Sequence, residues 1–172
     1  PVHIKIRGLR GGHSGSDIHL QRANANKLMG RLMRQVAKTF YFGLGSINGG
    51  LMDNAITREC DSIIYIDPED CEELLDMCSQ MQSMFRNEYS GSESDIFVIA
   101  EKAENGGRML SRKSADSVIY ALNLIPYGVE RVSLDINGLV ETSNNLGIVR
   151  TGEETIELIS AVRSSVATIK YD

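Results

Sequence analysis

The stretch Leu9-Arg10-Gly11-Gly12-His13-Ser14-Gly15-Ser16-Asp17-Ile18-His19-Leu20 holds two of the three histidines in the 172-residue chain. Three chemistries compete for it. His13, His19 and Asp17 could ligate a metal, but a loop does not give the fixed i, i+4 geometry of a helical pair, and no fourth ligand is evident. The glycines could cradle a phosphate, but the run has neither the GxGxxG order nor the GK[ST] ending. His13 could instead be a catalytic imidazole held out on a loop. Gly11, Gly12 and Gly15 would then let the backbone turn sharply and approach a ligand closely. The plainer alternative is a turn histidine facing water. His19 reads as a packing or hydrogen-bonding residue, and His3, inside a strand pattern, as structural.

Two further residues could bind a ligand. Asn54 follows a glycine turn, where an amide is either a turn former or a donor to a carboxylate or oxyanion. Arg163 lies in the aliphatic run ELISAVRSSV. A guanidinium there needs an anion, either a neighbouring acid or a ligand carboxylate held bidentately. Cys60, Cys71 and Cys78 form no CxxC pair and have the wrong spacing for zinc. They read as buried free thiols in a reducing, cytoplasmic setting.

These residues need a scaffold, and the periodicities supply one. Val2 to Arg7 alternates as a strand. Ala25, Leu28, Met29, Leu32, Met33, Val36 and Ala37 form a one-sided helical stripe. Phe40 to about Ile47 reads as a strand, Asn48-Gly49-Gly50 as a turn, and about Asn54 to Ile66 as another strand. Asp67 and Pro68 start a helix with the stripe Cys71, Leu74, Leu75, Cys78, Met81 and Phe85, and Gly91 lies beyond its end. Asp95 to Glu101 completes a β-α-β-β-α-β order. The fold class is therefore α+β, a ferredoxin-like antiparallel sheet with helices on one face. Residues 1–103 form this core. After the loop Glu104-Asn105-Gly106-Gly107, residues 104–172 add an α-β-β-β extension: a helix near Ser114 to Ile125, a short strand at Arg131 to Ile136, and a hairpin of Leu139 to Arg150 with Thr155 to Ile169.

Composition narrows the partners. A net charge of −5 and a pI near 5.3 argue against a nucleic-acid backbone. No apolar run approaches the ~18 residues of a membrane span. The consecutive Phe40, Tyr41 and Phe42 alternate faces, which favours core packing over base stacking. The chain starts in a strand pattern without an initiator Met and stops soon after another, which reads as a fragment of a longer protein.

The segments KIRGLRGGHSGSDIHLQRANANKLMGRLM, INGGLMDNAITRE, GVERVSLDINGLVETSNNLGIV and AVRSSV resemble the lid, or dimerisation, domain of the aminoacyl-histidine dipeptidases. These belong to the two-zinc metallopeptidase family that includes carboxypeptidase G and succinyl-diaminopimelate desuccinylase. The likeness runs in order from Lys5 to Val166. It implies a hydrolase of Xaa-His dipeptides whose two zinc ions, their ligands and the general base lie on a separate catalytic domain, so this part alone would be inactive. It also implies a homodimer formed through the lid. By the same resemblance, His13 stabilises the oxyanion, and Asn54 and Arg163 bind substrate, Arg163 at the free carboxylate. Thr57 stands where the family usually has proline, which would loosen the turn after Asn54. The competing class is a non-catalytic ferredoxin-like module that binds RNA or a small ligand.

Overall fold

Strand β1 (Val2–Arg7) buries Val2, Ile4 and Ile6 and turns His3, Lys5 and Arg7 to the opposite face in the computed structural model, which describes residues 1–103 and 107–171. The two-residue strand β2 (Gly12–His13) leaves the main sheet and leads through a 3₁₀ turn at Ile18–Leu20 to α1 (Ala25–Thr39). Asn24 caps α1, accepting from the N–H groups of Asn26 at 2.9 Å and Lys27 at 3.3 Å. The stripe Leu28, Met29, Leu32, Met33 and Val36 is wholly buried. Strand β3 (Phe42–Gly49), the short β4 (Ala55–Ile56), β5 (Cys60–Ile66), α2 (Cys71–Glu88) and β6 (Phe97–Lys102) follow. The sheet order β6-β1-β5-β3, antiparallel throughout, is the ferredoxin-like plan expected from the sequence.

The same sheet continues through the later residues. Helix α3 (Arg112–Leu124) packs on α1, and β7 (Gly128–Val132), β8 (Val140–Thr151) and β9 (Ile156–Ser164) extend the sheet to seven strands. Strand β8 pairs with β9 from Thr142 to Thr151. Its other edge is shared, by β7 over Val140–Asn144 and by β3 at Val149. Helices and sheet enclose one core that includes Ile4, Leu32, Leu44, Phe85 and Leu122. The Lys27 ammonium caps the end of α3 through the carbonyls of Leu122 and Asn123, at 2.6 and 3.1 Å. Burial lowers its pKa. Arg31 grips Glu88 with two bonds of 2.6 and 2.7 Å, tying α1 to α2.

Several boundaries differ from the sequence reading, each for a tertiary reason. Asn48 and Gly49 remain in β3, because Gly49 pairs with Cys60 and Val149, and only Gly50, at φ +76°, makes the turn. The single strand expected from Asn54 to Ile66 is two, because β4 leaves the main sheet to pair with β2. The strand expected at Arg131 to Ile136 is found at Gly128–Val132, and it starts at Gly128, whose φ of +103° turns the chain after the short link Ile125-Pro126-Tyr127. The last strand ends at Ser164, and Ala167–Lys170 forms a single helical turn, α4. Phe40 and Phe42 are buried while Tyr41 is exposed, as alternation requires. Cys60 and Cys78 are buried and Cys71 partly so. Burial pushes the Cys78 thiol up to about 11 and Cys60 higher still. Of the expected loop at 104–107, Glu104, Asn105 and Gly106 lie outside the described residues.

Candidate functional site

The glycine run is a clamped loop. Gly12 pairs with Ile56 and His13 with Ala55 in the β2–β4 ribbon, and the Ser14 N–H donates to the Asn54 carbonyl at 2.8 Å. Gly11 and Gly12 take φ of +65° and +145°, which other residues adopt only with strain. Asp17 closes the turn: its Oδ2 accepts from the His13 N–H at 2.9 Å, and its own N–H donates to the His13 carbonyl at 2.9 Å. At the base of the loop, the buried carboxylate of Glu93 accepts from Arg10 N–H at 2.8 Å and Ala23 N–H at 2.9 Å. The Tyr127 hydroxyl donates to the Arg22 carbonyl at 2.7 Å, and burial raises its pKa so that it keeps that proton.

This clamp fixes the protonation geometry of His13. The N–H groups of Gly15 and Ser16 both point at Nδ1, at 3.1 and 3.2 Å. A nitrogen that accepts two such bonds offers its lone pair, so the proton of the neutral ring lies on Nε2. The exposed imidazole is thus an Nε2–H donor held on a tight turn.

Arg163 comes to the same place from β9. A Cβ on Gly15 would lie 3.0 Å from the His13 Cε1 and 3.2 Å from the Arg163 Cζ. A side chain there would press on both, so glycine gives them the most room. Arg163 is exposed and, among the described residues, forms no ion pair. The neighbouring-acid alternative raised by the sequence is therefore not realised within them.

Asn54 sits at the start of β4, half-buried, with its flanking carbonyls held from below. The Asn145 amide donates to Asp53 O at 2.8 Å and Ala55 O at 2.9 Å. Thr57 does not loosen the turn as its replacement of proline had suggested. Its buried hydroxyl donates to Gly147 O at 2.8 Å and accepts from the Asn26 amide at 3.2 Å. The structure therefore brings His13, Asn54 and Arg163 to adjoining segments.

His19 does not take the packing or hydrogen-bonding role expected of it. It is exposed on the 3₁₀ turn and, among the described residues, makes no side-chain hydrogen bond. His3 does, to Asp61 at 2.7 Å. Among the described residues no three His, Cys, Asp or Glu side chains gather as metal ligands. The loop's own bonds explain part of this, since they occupy the His13 Nδ1 and an Asp17 oxygen. The described residues offer no set that fits a zinc site, so no step below is routed through a metal here.

The profile of the peptidase dimerisation domain family matches residues 4–93, just over half of the chain. The chain belongs to that family. It is 34% identical over 163 residues to the cytosol non-specific dipeptidase of Escherichia coli K12, covering 95% of this chain and 34% of that protein. A crystal structure of aminoacylhistidine dipeptidase from Vibrio alginolyticus superposes with a TM-score of 0.96 at 32% identity, covering 99% of this chain and 35% of that one. The dimerisation domain thus spans about one third of the length of each relative, and both relatives are named as dipeptidases. No helix among its described residues is long and apolar enough to cross a membrane.

Sequence reasoning passed over three residues that build this region of the dimerisation domain: Glu93, Asn145 and Gly147. One signal was present. Thr142, Ser143, Asn144 and Asn145 are four consecutive polar residues in a strand where all four are buried, and buried polar groups are there to be bonded. Replacing Glu93 with alanine should strand the Arg10 and Ala23 N–H groups and lower stability by about 2–4 kcal/mol. Urea unfolding followed by circular dichroism measures it, and a midpoint equal to wild type would show that the clamp does not matter.

Proposed function

We propose that this dimerisation domain is the lid of a zinc-dependent, cytoplasmic, homodimeric dipeptidase that hydrolyses Xaa-His dipeptides. Residues 1–103 form its ferredoxin-like core and 104–172 an extension packed on it. Both zinc ions belong, by the family resemblance, to a separate catalytic domain, and the lid alone has no activity. The lid's own part is recognition. The His13 Nε2–H donates to the oxygen of the scissile carbonyl as negative charge develops there. A preset donor aimed at that charge is more effective than mobile water. Arg163 pairs with the free carboxylate, and the Asn54 amide binds the substrate backbone. The observation that carries this reading is the placing, across Gly15, of an imidazole whose Nδ1 is already engaged beside a guanidinium with no ion pair among the described residues.

A second reading has support of its own. The carbonyl and the carboxylate are common to all dipeptides, and the Escherichia coli relative is named non-specific. A broad dipeptidase would use the same three residues. Assaying the full-length protein on dipeptides that share an N-terminal residue but differ at the second separates the two. A higher kcat/KM for His at the second position is expected. Equal values would select the broad reading, and no hydrolysis of any dipeptide would sink both.

A further inference from the structure

Strands β8 and β9 do more than extend the sheet. In their antiparallel register Ser143 faces Arg163 and Asn145 faces Ala161, so Asn145 and Arg163 lie on one face as diagonal neighbours. On that face Asn145 donates both amide hydrogens to the carbonyls of Asp53 and Ala55, which bracket Asn54. Its Oδ1 accepts from the Asn24 amide at 3.3 Å, and Asn24 also donates to Leu146 O at 2.9 Å while capping α1. Asn145 is 1% exposed. Two residues along β8, Gly147 lets the same segment rest on the strand, since a Cβ there would come within 2.4 Å of Asp53 O.

We infer that Asn145 is a positioning residue for substrate binding: it holds Asn54 at a fixed height and distance from Arg163. The inference rests on the proposed role of Asn54. Nothing about Asn145 itself touches substrate, since its donors and its acceptor are all engaged within the protein. A side chain that served stability alone would need only to fill the space and satisfy the carbonyls. Asn145 satisfies the two carbonyls on either side of one candidate ligand-binding residue, from the strand that pairs with the one carrying another.

The test uses full-length enzyme with Asn54→Ala, Asn145→Ala and the double variant. Binding that is equal in ground and transition states appears in KM rather than kcat. Asn54→Ala should raise KM about 3- to 10-fold, the effect of one lost hydrogen bond. Asn145→Ala should raise KM by a similar factor with kcat within about twofold. The double variant should match Asn54→Ala alone, because one interaction is lost only once. A KM unchanged by Asn145→Ala, or a double variant whose effect is the product of the two, overturns the inference. If Asn54→Ala itself leaves KM unchanged, it is the role of Asn54 that fails. The crystal structure of the Asn145→Ala enzyme then decides about Asn145. Displacement of residues 53–55 from Gly147 supports the positioning role, and an unmoved segment overturns it.

Discussion

On the proposed reading, replacing His13 with alanine in the full-length protein should lower kcat by about 10²–10³ while leaving its metal content unchanged. The imidazole holds its only available proton on Nε2, because the Gly15 and Ser16 N–H groups already occupy Nδ1. A donor that strengthens its bond only as the carbonyl becomes an oxyanion acts on the transition state, so kcat and kcat/KM should fall together and KM should stay near its original value. The fold should tolerate the change. The ring is exposed, and the two freed N–H groups can turn to water. An unaltered kcat would leave His13 as a turn former that closes its own loop.

Arg163→Ala should raise KM by about 10- to 150-fold, the equivalent of ~1.5–3 kcal/mol for a charged hydrogen-bonded pair. The guanidinium is exposed and unpaired among the described residues, so its removal breaks no ion pair seen there. Lysine at this position should recover only part of the loss, because a point charge does not reproduce a bidentate fork. The decisive comparison uses the dipeptide amide. It should bind wild type as poorly as the free acid binds Arg163→Ala, and it should be indifferent to the substitution. An amide that is as sensitive to Arg163→Ala as the acid would show that the arginine meets some other group.

The sequence carried the elements with strong local signals. The apolar stripe of α1 and the alternation of β1 are set by residues three, four or two apart, and both are where the pattern put them. So is the helix announced by Asp67 and Pro68, where the Asp67 carboxylate accepts from Glu69 N–H at 3.2 Å and a 3₁₀ turn precedes α2. Pairing between distant residues was not legible. The β2–β4 ribbon joins His13 to Ala55, and that contact splits what reads locally as one strand. The site divides in the same way. His13, Asn54 and Arg163 could be singled out by type and by family resemblance, but their approach comes from the β2–β4 ribbon and from the close packing of His13 and Arg163 over Gly15. Asn145 had only the polar run Thr142 to Asn145 to mark it, and its role lies in two carbonyls about ninety positions away. Thr57 misled in another way: set against the family pattern it was a missing proline, whereas its hydroxyl is bonded to β8.

The sharing of β8 between its neighbours has a consequence for how long a ligand this surface accepts. One strand fastens the Asn54 segment through Asn145, and its partner β9 carries Arg163 against the His13 turn. The backbone interval between the His13 turn and the strand that carries Arg163 is therefore set when the protein folds. On the proposed reading it works as a gauge. One more residue would carry the terminal carboxylate ~3.3–3.6 Å further from the reacting carbonyl, and nothing in so braced a frame slides to follow it.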